Sequence, residues 1–327
     1  MRRRTLLSAS LGLGALVGAV GVPIGSGMTL YCGAALAFGT TVTIKVMHLD
    51  SRVALDAIDD ALAVVQKIDA LMSLHQERSQ VFALNKYGFL HSPDRHLLFV
   101  LSVAQQLSVL TTGAFDITVQ PLWRAFSLAQ TRGLLPAPDE IAAAKSLVNW
   151  RQVDVQPHQV RLGSVGMGIT LNGVAQGYAV DLALEALSAQ GIEHALVDTG
   201  EHGAIGNKAP ATPWMLGVAH PRQPDALSSR LTMDTRKVAT SGDYATIFSS
   251  DYVHHHIFDP ASGNSPPSLA SVTVVAPTGI WADGLSTALM VMGGEKAFEL
   301  VAQLPEVDIM VIDKNGRMKK TPNFPDA

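Results

Sequence analysis

The sequence has one cysteine, few charged residues and no excess of basic ones. The single Cys32 excludes an internal disulfide and any Cys-x-x-Cys metal or redox pair. Lys and Arg number 24 against 28 Asp and Glu, so the formal charge of −4 gives no reason to expect a nucleic-acid partner. Only 16% of the residues are charged, against about 25% in globular proteins, and 47% are hydrophobic. This composition excludes a disordered chain and allows a large core.

The first thirty residues differ from the rest and predict a targeting signal. Three arginines, Arg2 to Arg4, precede Leu6-Leu7 and a run of Leu, Gly, Ala, Ser and Val. A basic start before a short apolar stretch is typical of a secretory signal, and the arginine pair fits a twin-arginine pattern. We therefore expect residues 1–30 to be a twin-arginine signal peptide and the mature protein to be exported to the periplasm. The alternative is an uncleaved N-terminal membrane anchor, although the Gly-rich stretch is short for one.

The order of the predicted elements favours a mixed α/β fold of the α+β class. Apolar residues at helical spacing without Gly or Pro predict a helix from Val53 to Met72, and a β-branched run predicts a strand from Thr40 to Val46. Helices and strands then mix without regular βαβ alternation, so we do not expect a Rossmann fold. Further helices are predicted at 97–110, 139–147, 178–190, 285–292 and 296–304, and further strands at 153–155, 168–171, 194–197 and 308–312.

A glycine turn between Gly168 and Tyr178 is the first candidate site. The segment reads Gly-Ile-Thr-Leu-Asn-Gly-Val-Ala-Gln-Gly-Tyr and predicts a strand that turns into a helix. Free backbone N–H groups and the positive dipole end at such a helix start can receive a phosphate. Because the pattern matches neither Walker A nor G-x-G-x-x-G, a simple packing turn explains it equally well.

Asp283 and Thr287 form the second candidate. They are four residues apart near a predicted helix start, so their oxygens can face one point. A carboxylate with a hydroxyl suits a hard cation such as Mg²⁺. The simpler interpretation is that Asp283 only caps the helix, and without other information the cap is favoured.

Three consecutive histidines, His254 to His256, form the third candidate. In a strand, His254 and His256 would share one face, where two imidazoles could bind a transition metal, although no third ligand is evident nearby. A single catalytic histidine beside a phosphate could instead deprotonate a hydroxyl. A polar strand end before the turn at Asp259-Pro260 is the third interpretation.

Taken together and in this order, these segments resemble the ApbE family, the FAD:protein FMN transferases. The resemblance covers nearly the whole chain after residue 38. The matching segments are Phe38-Gly39-Thr40, Gly113 to Val119, Thr170 to Gly177, Ala239 to Tyr244, His255 to Pro260, and Ala282-Asp283 with Thr287.

The resemblance implies an ApbE-like domain over residues 38–327 that splits FAD, attaches FMN to a Ser or Thr hydroxyl of a partner protein and releases AMP. FAD is then the substrate and Mg²⁺ the cofactor. By motif position, the Mg²⁺ ligands are the Gly173 carbonyl, Asp283 and Thr287, and His256 is the base for the acceptor hydroxyl. The residues that the resemblance places beside FAD are Phe38, His75, Ala114, Phe115, Asp116, Thr170, Gln176 and Ile257.

The sequence departs from the family pattern at several positions. Thr170 stands where an aspartate is usual, Gln176 where a lysine is usual, and Thr199-Gly200-Glu201 where the family has Gly-Gly. Thr170 and Gln176 can still form hydrogen bonds, so the FAD site is altered but not emptied. This version resembles an exported branch of NosX-type proteins.

The acceptor expected from that branch is an exported or membrane-bound flavoprotein, such as an electron-transfer or nitrous-oxide reductase maturation protein. Two alternatives to the transferase stay open. One is an FAD pyrophosphatase that releases FMN and AMP, and the other is a non-catalytic protein that binds or delivers FAD.

Overall fold

The computed structural model describes residues 16–23 and 27–327. Its helices are α1 (Ser51–Met72), α2 (Gln80–Tyr87), α3 (Arg95–Leu110), α4 (Gln120–Thr131), α5 (Pro138–Lys145), α6 (Ala175–Ala189), α7 (Gly279–Met292) and α8 (Gly294–Val301). Its strands are β1 (Leu16–Pro23), β2 (Thr29–Ala37), β3 (Thr40–His48), β4 (Phe89–His91), β5 (Val153–Gln156), β6 (Gln159–Leu162), β7 (Ala195–Asp198), β8 (His202–Ile205), β9 (Asn207–Ala209), β10 (Thr212–Pro213), β11 (Met215–His220), β12 (Gln223–Thr232), β13 (Lys237–Gly242), β14 (Leu269–Ala276), β15 (Asp308–Asp313) and β16 (Met318–Lys320). None of the helices in these described residues is both long and apolar enough to cross a membrane.

A nine-stranded antiparallel sheet is the centre of the fold. Its strand order is β1-β2-β3-β7-β8-β13-β14-β15-β16. Strand β14 is buried along its whole length, as expected for an apolar strand that is covered on both faces. The antiparallel sheet with helices segregated from it confirms the predicted α+β class and contains no Rossmann unit in the described residues.

Two cores lie on the two faces of this sheet. On one face, α1, α6 and α7 bury side chains such as Ile58, Val180 and Leu289. On the other face, the β11–β12 hairpin and its flanks bury Trp214 and Leu231 against the sheet. The helical face is the one that positions the candidate site, because its loops and helix ends meet the predicted motifs.

Most of the predicted elements are present, but the predicted strand at 168–171 is wrong. The side-chain amide of Asn85 replaces a strand partner there: its Nδ2 donates to the Ile169 carbonyl (2.8 Å) and its Oδ1 accepts from the Ile169 N–H (2.7 Å). The Thr170 N–H donates to the Ile117 carbonyl (2.7 Å). These bonds satisfy the backbone without a ladder, so the segment is irregular.

Helix α7 begins earlier than predicted, and this excludes the capping role considered for Asp283. Asp283 lies inside the helix, which starts at Gly279. The free N–H groups at the helix start donate instead to the Asp181 carboxylate of α6, with distances of 2.6 Å from Gly279 and 3.0 Å from Ile280. Asp283 is therefore free for another role.

The histidine segment is also not the strand that was predicted. Only His255 forms an isolated bridge, with Ile247. The His254 carbonyl accepts from the backbone N–H groups of Phe248 (2.7 Å) and Ser249 (3.2 Å), which folds the segment into a compact loop. The alternation of faces that a strand would impose on these histidines therefore does not apply.

A buried ion cluster holds the loop that carries these histidines. Asp243 is fully buried and accepts two hydrogen bonds of 2.7 Å from the Arg222 guanidinium. Lys314 donates to Asp243 (2.5 Å) and also to the Tyr252 carbonyl (2.8 Å), while the Arg222 guanidinium lies over the Tyr252 ring. The turn after β11, the loop after β13 and the turn after β15 are thus joined at one carboxylate.

Helices α6 and α7 approach each other closely at two glycines. A Cβ on Gly177 would lie 2.1 Å from the Gly279 carbonyl oxygen, and a Cβ on Gly279 would lie 2.3 Å from the Gly177 carbonyl oxygen. The Gly177 N–H donates to Asp283 Oδ2 (3.0 Å) across this contact. No other residue type fits either position without moving a helix.

The predicted signal peptide lies largely outside the described residues. Residues 1–15 and 24–26 are not described; within the predicted segment the structure describes Leu16–Pro23, as β1 paired with β2, and residues 27–30, which lead into β2. The signal peptide, and with it the domain boundary at residue 38, stays a prediction.

We expect Gly177→Ala to lower the free energy of unfolding by about 1–3 kcal/mol, because the added methyl group must push α6 away from α7. Gly294→Ala is the matched control, since a Cβ there meets only the Leu269 Cδ2 atom at 3.7 Å. Urea unfolding followed by circular dichroism measures both variants. Equal midpoints for the two variants would contradict the close-contact argument.

Candidate active site

A cavity of about 600 Å³ opens beside the start of α6 and the middle of α7. Its volume lies in the range of cofactor sites, roughly 300–1,000 Å³. The β2–β3 turn and the loop after α1 form one side, and β13 and the histidine loop form the other. Eight of the residues predicted from the sequence line it: Phe38, His75, Gly173, Gln176, His256, Ile257, Asp283 and Thr287.

Asp283, Thr287 and Gly173 meet at the base of the cavity. Asp283 is 3% exposed, and while its Oδ2 accepts from Gly177, its Oδ1 has no hydrogen-bond partner among the described residues. A Cβ on Gly173 would lie 2.9 Å from Thr287 Oγ1, so the Gly173 backbone borders the Thr287 hydroxyl directly. These groups are hard oxygen donors of the kind that bind Mg²⁺.

The pKa of Asp283 is raised to about 7, mainly by burial. The hydrogen bond from Gly177 lowers this pKa, and the nearby Asp181 carboxylate raises it. At neutral pH this carboxyl group is therefore poised between its charged and neutral forms. A bound cation would favour the charged form.

Glu201 is a second carboxylate of the cavity, and no function was predicted for it from the sequence. It lies in the turn between β7 and β8, and its Oε2 accepts from the Thr240 N–H of β13 (3.0 Å). Burial raises the pKa of Glu201 well above its ordinary value, and the charge of Asp283 is the next cause. In the sequence, Glu201 stands within Thr199 to Gly203, the segment that takes the place of the usual Gly-Gly of the ApbE family.

The described residues that line the cavity include three acids and no lysine or arginine. The acids are Asp69, Glu201 and Asp283, and the only other titratable side chains are those of His75 and His256. A phosphate group would therefore meet repulsion unless a cation entered with it. This charge pattern, together with the free Asp283 oxygen, fits a divalent cation held by Gly173, Asp283 and Thr287.

His256 faces the cavity from the opposite side. Its Nδ1 lies 3.3 Å from the Thr246 carbonyl, which can only accept, so Nδ1 carries the proton and Nε2 has a free lone pair. Burial lowers the pKa of His256 below its ordinary value, with smaller opposing effects from the Thr246 hydrogen bond and the Asp243 charge. The ring is therefore neutral at pH 7 and can accept a proton.

The neighbouring histidines have other environments. His255 is fully buried, accepts from the Ile257 N–H and lies 3.4 Å from the Pro266 carbonyl, and burial lowers its pKa to about 4. His254 does not line the cavity, and its ring packs near Phe126. No group of three or more His, Cys, Asp or Glu side chains that could hold a metal is found in the described residues, which removes support for a transition-metal site at these histidines.

The mouth of the cavity carries two ring side chains, Phe38 and His75. Phe38 adopts a left-handed backbone conformation (φ 53°) beside Gly39 (φ 74°). A non-glycine residue in this region of φ is strained by about 1 kcal/mol or more, and such strain collects at functional sites. Asp69 was not identified from the sequence, because it lies inside the unbroken helix α1.

Gln176 is engaged with the protein backbone. Its Nε2 donates to the Thr199 carbonyl, and the Thr199 hydroxyl donates to the Gln176 carbonyl (3.1 Å). Gly200 lies against this amide with φ 101°, and a Cβ there would be 2.4 Å from Nε2. Gln176 thus fastens the β7–β8 turn to the start of α6 while it borders the cavity.

Four residues predicted to lie beside FAD do not line the cavity: Ala114, Phe115, Asp116 and Thr170. Phe115 is buried behind Gly173. Asp116 is 8% exposed, and its two oxygens accept from the Thr118 N–H (2.7 Å) and the Trp150 N–H (3.1 Å), which fixes the local turn. The contact of these four residues with FAD stays a prediction.

Known proteins resemble this chain along most of its length. The model of the ApbE family matches residues 38–311. A relative from Treponema pallidum named FAD:protein FMN transferase is 29% identical over 320 residues, covering 90% of this chain and 88% of the relative. A relative of the same name from Escherichia coli K12 is 30% identical over 280 residues, covering 82% and 76%.

Solved structures show the same fold. The crystal structure of the ApbE protein from Thermotoga maritima superposes with a TM-score of 0.80 at 30% identity, covering 90% of this chain and 97% of that chain. The family model spans most of the chain, and the fold and the relatives agree with it. This chain therefore belongs to the ApbE family.

Proposed function

We propose that this chain is an FAD:protein FMN transferase. The names of the relatives support the transferase class. The observation that carries the proposal is that one cavity contains a set of donors for a hard cation, at Gly173, Asp283 and Thr287, opposite a neutral histidine, His256. Phosphoryl transfer to a hydroxyl needs these two elements: charge neutralisation at the phosphates and a base for the hydroxyl proton.

In this proposal Mg²⁺ is held by the Gly173 carbonyl, the Asp283 carboxylate and the Thr287 hydroxyl. When bound, the ion would neutralise charge on the FAD pyrophosphate and on the departing AMP. The chain itself holds these donors in place: Gly177 fixes one Asp283 oxygen, and Ser241 Oγ lies 3.2 Å from Thr287 Oγ1 and 2.7 Å from Ser286 Oγ.

His256 receives the proton of the acceptor in this mechanism. The hydroxyl oxygen of an acceptor Ser or Thr attacks the phosphorus of the FMN half, and its proton passes to His256 Nε2. The bond from that phosphorus to the AMP phosphate breaks, and AMP leaves. The product is a phosphoester between FMN and the acceptor. Because Nδ1 faces the Thr246 carbonyl, the ring presents Nε2 for this step.

The rings of FAD are proposed to contact the mouth of the cavity. Phe38 and His75 offer ring surfaces for stacking, and the buried Ile257 offers an apolar contact. The acceptor is proposed to be a flavoprotein, exported or membrane-bound, in agreement with the predicted signal.

The first experiment incubates the purified chain with FAD and Mg²⁺, with and without a candidate acceptor flavoprotein. We expect AMP release and a fluorescent acceptor band on a denaturing gel. Asp283→Asn should abolish both, because it removes the charge that holds the cation. AMP and FMN released at the same rate with or without acceptor would favour the pyrophosphatase, and bound but intact FAD would favour the binding protein.

We expect His256→Asn to slow FMN transfer by about 100- to 10,000-fold while leaving FAD affinity nearly unchanged, because only proton removal is lost. His254→Asn is the matched control, since His254 lies two residues away and outside the cavity. Labelling of the acceptor in samples quenched at successive times measures the transfer rate, and equilibrium dialysis measures the FAD affinity. A transfer rate equal to that of His254→Asn would remove His256 from the mechanism.

The raised pKa of Asp283 predicts how stability depends on pH. Between its ordinary pKa of 3.8 and about 7, the folded protein keeps a proton that the unfolded chain has lost. Without divalent cations, the free energy of unfolding should therefore fall as the pH rises through this interval. Urea unfolding in EDTA at about pH 5 and about pH 7.5 measures the change.

Asp283→Asn is the control for this pH dependence, because an amide cannot ionise and can still accept the Gly177 hydrogen bond. Its unfolding free energy should change less between the two pH values. Mg²⁺ should restore stability at the higher pH in the wild-type chain. An equal pH dependence in both proteins would contradict the assignment of the pKa to Asp283.

A further inference from the structure

The turn between β7 and β8, which carries Glu201, is fastened at two points next to the proposed cation ligands. On one side, Thr199 and Gln176 exchange hydrogen bonds, which ties the turn to the start of α6, where the Gly177 N–H binds Asp283. On the other side, Glu201 Oε2 accepts from Thr240 of β13.

The residue after Thr240 leads to the same donors. Ser241 Oγ is 3.2 Å from Thr287 Oγ1. The two attachment points of the turn, Gln176 and Thr240, therefore directly precede residues that contact Asp283 or Thr287. The Thr240 N–H restrains one oxygen of this carboxylate on the side of these donors.

The charges around Glu201 are unfavourable in the absence of a ligand. Glu201 and Asp283 line the same cavity, the charge of Asp283 raises the pKa of Glu201, and no lysine or arginine of the described lining offsets the two acids. Thr240 occupies Oε2, while Oε1 has no hydrogen-bond partner among the described residues. An approaching FAD pyrophosphate adds further negative charge, which a neutral hydrogen-bond donor would not balance.

We propose that Glu201 is a direct ligand of the divalent cation, through the Oε1 oxygen that Thr240 leaves free. This inference rests on the proposed function, from which it takes the cation. It adds a second carboxylate to the set of Asp283, Thr287 and the Gly173 carbonyl. A second carboxylate strengthens the binding of a hard cation.

The test measures cation binding to the full chain without FAD or acceptor. Mn²⁺ titrations followed by electron paramagnetic resonance, and Mg²⁺ titrations by calorimetry, compare the wild type with Glu201→Gln. Glutamine keeps the size of the side chain and the acceptor for the Thr240 N–H. We expect the Kd of both ions to rise at least about tenfold in Glu201→Gln.

The matched control is Asp198→Asn. Asp198 ends β7 three residues before Glu201, accepts from the Gly200 N–H (2.9 Å) and does not line the cavity. Its substitution should leave the Kd unchanged. An unchanged Kd in Glu201→Gln, or a rise no larger than that in Asp198→Asn, would overturn the proposal.

Thermal unfolding separates a ligand from a structural residue. Without cations, Glu201→Gln should melt no lower than the wild type, because glutamine keeps the Thr240 hydrogen bond and cannot acquire the charge that burial and Asp283 disfavour. With saturating Mg²⁺ its gain in melting temperature should be smaller than that of the wild type. A lower melting temperature without cations, with an undiminished gain from Mg²⁺, would assign Glu201 a structural role and overturn the proposal.

The outcomes remain separable from the proposed function. A chain that labels no acceptor but loses cation affinity in Glu201→Gln would refute the transferase and keep Glu201 as a ligand. A chain that labels an acceptor while Glu201→Gln binds Mn²⁺ normally would support the transferase and refute Glu201 as a ligand.

Discussion

The contact between Gly177 and Gly279 determines where the groups of the cavity lie. It sets the separation of α6 and α7, and the hydrogen bond from Gly177 to Asp283 crosses it. The turn at Gly200 depends on the same helix start through Gln176. Each of these contacts involves at least one backbone group, so the donors are held in place before any ligand binds, which is the condition for effective electrostatic stabilisation.

Charge is the second constraint on the site. Asp283 and Glu201 have no basic neighbour in the described lining, and burial raises the pKa of both. The proposed cation would offset this cost, and stability, cation binding and pH would then be linked at one place in the fold. A cavity lined by arginines would hold phosphate without a metal. The described lining of this cavity is acidic, so phosphate binding here would require a cation.

The sequence predicted the α+β class and the long helix at Val53 to Met72, because apolar spacing over many residues is a strong signal. It also predicted eight residues that line the cavity, through the family motifs. It did not predict the bonds of Asn85 that replace a strand at Ile169, since one side chain far along the chain decides them. Glu201 was noticed as a departure without a role, because its meaning depends on Asp283, which is distant in sequence and adjacent only after folding.

The ion cluster at Asp243 has a consequence for how a ligand enters. Arg222 and Lys314, from separate turns, both donate to the Asp243 carboxylate, so the wall that carries His256 is firmly held. On the opposite wall, His75 and Gln76 are exposed, and their backbone N–H groups are held by the Ser73 hydroxyl at 3.2 Å each. That short loop after α1 is the less firmly held edge of the cavity, so under the proposed function FAD would enter on this side, while the loop of His256 stays tied to Asp243 through Lys314.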